Sequence, residues 1–262
     1  RQNNELILPA SQAEIRLSGA LKKQTALSWK TQGALESQLN AQIQAAEPNF
    51  PLQVNLTVPQ AQYPFNNKDP LKIQDFNLTV GGNLAAAQIQ LKSAVSGMGI
   101  PNSDLALQAV AHLSDIAINQ LKLNTLNGTA DLTGKLNWRD GVEWNGHLSL
   151  AKMPLNGYLA DFPAIISGSL NSQGRINQGK PEISVSDIDL QGSLSQRPLS
   201  LTGNLHMAEQ PLLNVPQLTF TYGDNKINAQ GNLGSVSDFT LDINAPNLSG
   251  LLTGLSASVN GK

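Results

Sequence analysis

Histidine side chains are the groups in this sequence best suited to metal binding or proton transfer. His112, His147 and His206 lie far apart in the chain, and each alternates with apolar neighbours. On a strand, such a residue points away from the apolar face, so we expect all three histidines on the polar face. None is accompanied by a partner at the spacing of a metal ligand or a catalytic triad. Solvated histidine is the favoured interpretation, and no metal site is predicted.

Two carboxylate pairs could be imagined in the acid and base roles of a glycosidase. They are Asp187 with Asp189, and Glu182 with Asp187. Paired acids of this kind flank the scissile bond in most glycoside hydrolases. Acids two residues apart are also common on the solvent side of any strand, which is the favoured interpretation. An enzyme acting on polysaccharide is therefore the last of the alternatives, and we predict no catalytic residue, no cofactor and no enzyme activity.

The composition excludes several other classes. The 262 residues include no cysteine, which removes disulfides and thiolate chemistry. Charged residues make up 14%, well below the usual quarter, and the net charge is −2, so we predict no nucleic-acid partner. The chain opens without Met or an apolar leader, and its apolar runs are too short for a membrane span. We expect a segment of a longer protein whose anchor lies elsewhere.

Apolar residues recur at every second position through most of the chain, which is typical of strands with one face turned from water. A Gly-x-Leu motif returns nine times within these runs. The motif glycines are Gly19, Gly33, Gly82, Gly134, Gly146, Gly168, Gly192, Gly203 and Gly231. Nine returns indicate one structural unit used repeatedly. The unequal intervals between them argue against a parallel β-helix, whose coils have nearly constant length.

Loop parity predicts which side chains share a face, because a one-residue slip inverts every side chain of a strand. Around Asp140, a three-residue loop from Arg139 to Gly141, with Gly141 left-handed, keeps both apolar sets together. This predicts the pairs Trp138 with Val142, Leu136 with Trp144, and Gly134 with Gly146. Even loops are required further on, and the stretches 195–198 and 223–226 are predicted as four-residue loops. Such short hairpins imply antiparallel neighbours.

A second repeat precedes several glycine motifs and shifts the alternation by one residue. It begins at Ile73, Leu113, Val185, Val215 and Val236. We predict β-bulges that bend the sheet at these places, with a strand end and restart as the alternative. Proline and glycine mark interruptions, with a turn or two of helix possible in 153–166 and 247–255. The sequence thus predicts one continuous segment over 1–262, with repeat boundaries near 59–70, 151–165 and 246–255.

Four stretches carry a resemblance to a known family. They are VSDIDLQGSLSQRPLSLTGNLHM, LNWRDGVEWNGHLSL, AQYPFNNKDPLKIQDFNLTVGGNL and INAPNLSGLLTGLSASVNGK. These closely resemble the central part of TamB-family proteins, within the wider AsmA-like group. The resemblance runs across nearly the whole chain. It rests on pattern and order and includes no catalytic motif.

The resemblance implies an all-β fold: an elongated, curved antiparallel sheet, U-shaped in section, with a concave hydrophobic groove and few short helices. It also implies a periplasmic protein, anchored in the inner membrane of a Gram-negative bacterium, that carries phospholipids toward the outer membrane. The family's partner is TamA, met through a part of the protein that we expect to be absent here. The alternative function is a chaperone-like scaffold for outer-membrane protein assembly with TamA. A closed β-sandwich spacer without ligand is the third possibility.

The aliphatic character of the apolar face suits hydrocarbon chains, since such a lining cannot orient a polar substrate. We therefore expect phospholipid acyl chains against it. The hypothetical groove lining is Leu21, Leu35, Leu84, Leu132, Leu136, Trp138, Trp144, Leu148, Leu170, Leu194, Leu201, Leu205, Phe220 and Leu233.

Overall fold

The chain is almost entirely β-structure. A computed structural model describes residues 11–20, 22–33, 35–63, 69–157, 162–249 and 259–261. Within these residues there are seventeen strands and a single 3-10 turn at Leu155–Gly157. The all-β, antiparallel fold predicted from the sequence is therefore confirmed. The chain divides into two compact units, unit 1 over Arg1–Thr125 and unit 2 over Leu126–Lys262.

Unit 1 is an antiparallel meander in which each strand pairs with its neighbour in sequence. Its strands are β1 Ser11–Gly19, β2 Thr25–Gly33, β3 Ser37–Ile43, β4 Leu52–Tyr63, β5 Leu71–Asn83, β6 Ala86–Gly97, β7 Ile100–Ala111 and β8 Asp115–Thr125. The sheet of this unit is open, because β1 and β8 do not pair with each other.

Unit 2 repeats the same arrangement with longer central strands. Its strands are β9 Gly128–Asn137, β10 Val142–Pro154, β11 Ala164–Asn177, β12 Lys180–Leu194, β13 Arg197–Met207, β14 Leu213–Tyr222, β15 Asn225–Leu233, β16 Asp238–Ala245 and β17 Val259–Gly261. This sheet is open as well, since β9 and β17 do not pair.

The predicted register of the β9–β10 hairpin is confirmed at its centre. Leu136 lies opposite Trp144, and Gly134 lies opposite Gly146. Gly141 has a φ of +126°, as its place in the loop required. The ladder ends at the pair of Asn137 with Glu143, so the predicted pair of Trp138 with Val142 lies just beyond it.

The two predicted four-residue loops are wrong in length but right in parity. Leu194 pairs with Arg197, which leaves a two-residue turn of Ser195 and Gln196. Likewise Tyr222 pairs with Asn225 across a two-residue turn. Each register is thus two residues tighter than predicted. A shift of two preserves the facing of side chains, so the apolar sets remain on one face.

Three of the five predicted bulges are present. Register shifts occur at Gln74/Asn77, at Val185/Ile188 and at Val215/Leu218. In β5 the bulge holds two exposed polar residues, so that Ile73 and Phe76 stay on the apolar face. The other two repeats, from Leu113 and Val236, fall between strands, which is the alternative of a strand end and restart.

The predicted interruptions fall at the ends of strands. The stretch 59–70 contains the end of β4, the stretch 151–165 contains the 3-10 turn, and the stretch 246–255 follows β16. Residues 247–249 form no helix, and 250–255 lie outside the described residues. In the part of the chain that is described, no helix has the length and apolarity needed to cross a membrane.

Candidate functional site

The apolar side of unit 1 consists of rows of side chains that cross every strand. Residues directly opposite each other in neighbouring strands lie on the same face. The first row is Ile15, Trp29, Leu39, Leu56, Leu78, Leu91, Leu107 and Leu121. The second is Leu17, Leu27, Ala41, Val54, Val80, Ile89, Ala109 and Ile118. Both rows cross eight strands and contain no charged or amide side chain.

Unit 2 has a row of the same kind across β9 to β16, which we call the central row. It is Ala130, Leu150, Gly168, Leu190, Leu201, Phe220, Ile227 and Ile243. At about 4.8 Å per strand, an eight-strand row is about 33 Å long. A hydrocarbon core about 30 Å thick holds two layers of acyl chains, so each row is longer than one chain.

Most residues of these rows are only half-buried, and the buried exceptions are Ala41 and Ala109. No residue of the central row is buried, and all of them have intermediate exposure. In unit 1 the first strand is more open still, with Ile15 63% and Leu17 72% exposed. Only nine hydrophobic residues of the described chain are buried, which is far fewer than a two-layer domain of this size would hide. The apolar face is therefore not covered by a second layer within the described residues.

One end of the apolar face in unit 2 is closed. Leu194, Ala164 and Tyr222 form a buried cluster against which Leu155 and Phe162 pack. The cluster lies where β12 and β14 end, beside the two-residue turns. It is the part of this face that resembles an ordinary protein core.

Polar contacts fasten residues 247–249 over this cluster, and we call the contact the clasp. The buried Asn225 amide nitrogen donates to the carbonyl of Asn247 at 2.7 Å, and Asn247 N donates to Asn225 Oδ1 at 2.9 Å. Tyr222 Oη donates to the Ser249 carbonyl at 3.1 Å. The Arg197 guanidinium donates to the Asn247 and Ser249 carbonyls and lies 5.6 Å from the Tyr222 ring centre.

The opposite ends of the same strands are open. Leu194, at the end of β12, is 1% exposed, whereas Met207, at the far end of β13, is 44% exposed. Other large apolar residues on this side of unit 2 are also accessible, with exposures from 36% for Leu233 to 84% for Val236. They are Trp138, Val142, Ile176, Leu212, Leu233 and Val236. Accessibility of the apolar face thus rises from the clasp toward the opposite ends of the strands.

The structure brings most of the predicted lining onto this face. Leu132, Leu148 and Leu170 face one another across β9, β10 and β11. Leu136 faces Trp144, Leu201 faces Phe220, and Leu205 faces Val185. Leu194 lies in the closed cluster. Trp138, Leu35 and Leu84 lie in loops, Leu233 ends β15, and Leu21 lies outside the described residues.

The rows of unit 1 escaped the sequence prediction almost entirely. Leu56, Leu78, Leu91 and Leu107 are absent from the predicted lining because no Gly-x-Leu motif accompanies them. Their alternation with polar residues is the signal that could have identified them, since it alone fixes the face. The clasp gave no such signal.

The three histidines make ordinary polar contacts. His112 bonds Asp115 at 2.9 Å beside a turn, His147 bonds Asn171 at 2.7 Å, and His206 bonds Ser184 at 2.7 Å. His147 and His206 lie on the polar face, as predicted. Within the residues described, no three His, Asp or Glu side chains are grouped closely enough to hold a metal ion.

The carboxylates proposed as catalytic pairs are engaged separately. Glu182 accepts from Arg175 Nε at 2.8 Å. Asp187 sits at the β12 bulge with a φ of +51° and accepts from Asn171 at 2.7 Å. Their surroundings are those of structural polar groups on the wet face of a sheet.

Known proteins are similar to this sequence along its whole length. The family model described as "TamB, N-terminal domain" matches residues 2–262. The translocation and assembly module subunit TamB of Haemophilus influenzae is 40% identical over 264 residues, covering 100% of this chain and 20% of that protein. An uncharacterized protein of Buchnera aphidicola is 16% identical over 233 residues, covering 86% of this chain and 22% of that protein.

The chain therefore spans about a fifth of the length of these relatives. No solved structure matches it. The family model covers all but the first residue of the sequence. Together with the open antiparallel sheet, this match shows that the chain belongs to the TamB family, as a segment of its N-terminal domain.

Proposed function

We propose that this segment lines part of an open hydrophobic groove that carries phospholipids between the inner and outer membranes. The observation that carries the proposal is the central row of unit 2, with its counterparts in unit 1. These rows are mostly aliphatic, cross eight strands and, apart from the buried Ala41 and Ala109, remain partly exposed. An apolar surface that is contiguous and uncovered needs an apolar partner. Acyl chains would lie along the rows, with head groups at the open strand ends.

Uniform lining suits transport as well as binding. Burial of each methylene group contributes about 0.8 kcal/mol, so a chain of many methylenes is held readily. Sliding requires that the free energy of the bound chain change little with position. The central row, made of Leu, Ile, Ala, Gly and one Phe, satisfies this requirement, because it offers no hydrogen-bonding side chain that would fix a lipid at one place. The proposal involves no catalytic step and no cofactor.

Lipid carried through purification is the direct test of occupancy. Organic extracts of the purified segment should contain phospholipid in stoichiometric amounts, measured by mass spectrometry. A stable, folded protein that is free of lipid, and that takes up none from vesicles, would contradict the proposal.

A matched pair of substitutions separates groove lining from closed core. Leu201→Arg places a charge on the central row, whereas Thr202→Arg places the same charge on the exposed face of the same strand. We expect Leu201→Arg to lower lipid content severalfold while the far-UV circular dichroism remains that of a sheet. Thr202→Arg should retain its lipid. Unfolding of the Leu201 variant alone would show that this residue is closed core.

The second candidate function is assembly of outer-membrane proteins together with TamA. The Haemophilus relative is named as a subunit of a translocation and assembly module, and this is the observation that favours it. This second proposal includes contact with TamA, anchoring of the full protein in the inner membrane and a periplasmic location. If the segment, purified without lipid, still binds unfolded outer-membrane protein, the result would favour a role in assembly over a role in transport.

A further inference from the structure

One long side of the apolar face in unit 2 is buried, and the buried part lies directly beside the central row. The row next to the central row on this side, which we call the rim row, crosses β10 to β15. It is Met153, Ile166, Gly192, Leu199, Tyr222 and Asn225. On β11 to β15 the rim row lies two residues from the central row, which is about 7 Å along each strand. Met153, Tyr222 and Asn225 are buried, whereas no residue of the central row is.

The clasp is what buries the amide of the rim row. Asn225 is 2% exposed, although it carries a polar side chain on the apolar face. Its amide nitrogen donates to the carbonyls of Tyr222 and Asn247, and its oxygen accepts from the Asn247 amide. A buried amide is costly unless its hydrogen bonds are made. The bonds to Asn247 therefore hold residues 247–249 over the rim row.

Arg197 and Tyr222 fasten the same segment from β13 and β14. Arg197 Nη1 donates to the carbonyls of Asn247 and Ser249, and Tyr222 Oη donates to the Ser249 carbonyl as well. The edge of the apolar face on this side thus ends in a network of hydrogen bonds. An acyl chain that replaced the network would leave these polar groups without partners, which is unfavourable.

The opposite ends of the same strands present accessible apolar side chains. Met207 lies eight residues beyond Leu199 on β13, which is about 26 Å along the strand. Met207, Trp138 and Ile176 are all exposed at these ends. Tryptophan is well suited to a boundary between apolar groups and water, because its ring is apolar and its N–H is polar. The two sides of the central row therefore differ: one is sealed by the clasp, and the other meets solvent.

We propose that the rim row and the clasp form a fixed side wall of the groove in unit 2, so that phospholipid enters and leaves this unit only past the opposite strand ends. The inference rests on the proposed function, because a wall has this role only if lipid lies on the central row. The tails would lie along the central row with the wall on one side. The head groups would project on the other side, so the lipid keeps one orientation as it moves along the row.

The position of the head group in the loaded protein is the direct test. Phosphatidylcholine with a nitroxide on its choline group is transferred from vesicles to the whole chain, and the loss of amide NMR signals reports which residues lie near the label. We expect the signals of Met207, Ile176 and Trp138 to lose most of their intensity, while those of Asn225 and Asn247 keep theirs. A second lipid, with the nitroxide near the end of an acyl chain, should broaden the signals of the central row.

The two labels separate this proposal from the one on which it rests. If neither lipid broadens any signal of unit 2, both proposals fail. If the chain label broadens the central row but the head-group label broadens Asn225 and Asn247 as strongly as Met207, lipid binds and the side wall is wrong. A lipid phosphate bound to Arg197 would give this second result.

Loosening the clasp should open the second side. Arg197→Ala together with Asn225→Ala removes the side-chain bonds to Asn247, so we expect the head-group label to broaden Asn247 as well as Met207, with lipid content retained. Asn214→Ala is the matched control, because it removes one cross-strand amide bond, to Asn232, at the other end of β14. The control should keep the wild-type pattern, and circular dichroism checks that both variants are folded. A folded clasp variant that still shows broadening only on the Met207 side would overturn the proposal, and if that variant unfolds the labelling of the unaltered chain decides.

Discussion

At the scale of single residues, the glycines of the Gly-x-Leu motif have a conformational role as well as a place on the apolar face. Six of the nine have a φ between +105° and +135°, a region that side chains disfavour. Gly168 in β11 is the clearest example, because it also belongs to the central row. A Cβ atom there would overlap the carbonyl oxygen of Asp189 in the neighbouring strand.

Alanine at position 168 is therefore expected to be costly. Gly168→Ala combines an unfavourable φ of +133° with a backbone clash. We expect it to lower the free energy of unfolding by about 1–3 kcal/mol. Gly81→Ala is the control, because a Cβ at Gly81 meets nothing within 4 Å and its φ is ordinary. Urea denaturation measures both. Equal midpoints for the two variants would show that β11 tolerates a side chain here.

The face of the sheet on which a side chain lies could be predicted from the sequence, but the burial of that side chain could not. Alternation placed Leu132, Leu136 and Leu201 on one face, and the structure has them there. Leu194 satisfies the same alternation, yet it is buried. The difference comes from Ala164 and Tyr222, which lie 30 and 28 residues away in sequence and reach Leu194 only through the folded sheet. Periodicity reports a face, whereas burial depends on what covers it.

At the scale of elements, hairpin parity was predictable and loop length was not. An even loop was required between β12 and β13, and two residues satisfy parity as well as four do. Ser195 and Gln196 form the turn with φ of +50° and +66°, although neither is a usual residue for such a turn. The spacing of the apolar residues Leu194 and Leu199 pointed to the longer loop, whereas the structure pairs Leu194 with Arg197.

The clasp makes a prediction of its own at this scale. Asn225→Ala removes both hydrogen bonds to Asn247 and the buried bond to the Tyr222 carbonyl, so we expect a loss of about 1–3 kcal/mol. Tyr222→Phe removes only the bond to the Ser249 carbonyl and should cost less. Hydrogen exchange at the Asn247 amide should accelerate strongly in the Asn225 variant and mildly in the Tyr222 variant. The reverse order would show that Tyr222 is the main fastening.

At the scale of the whole molecule, sparse charge determines how the chain should respond to salt. Charged residues are 14% of the sequence, and the ion pairs, such as Lys180 with Glu209, are exposed. Exposed pairs contribute roughly 0–1 kcal/mol each and weaken as salt rises. Lipid binding that is driven by apolar burial should persist across the same change.

We therefore expect phospholipid uptake from neutral vesicles to vary less than about twofold between roughly 0.05 and 0.5 M NaCl. Vesicles of phosphatidylcholine and of phosphatidylglycerol should behave alike in a fluorescence transfer assay. A steep fall in uptake with salt, confined to phosphatidylglycerol, would show that head-group charge governs binding and that the apolar rows do not.

Pairing between sequence neighbours has a consequence for how the length of such a protein can change. Within each unit, the described strands pair only with the strand before and the strand after them, so the hairpin is a modular unit of construction. Removal of β5 and β6 would leave β4 to meet β7 in the same antiparallel sense, with the aliphatic rows shorter by about 10 Å. Removal of a single strand would instead reverse the direction of all that follow. Evolutionary changes in reach are thus expected in steps of two strands.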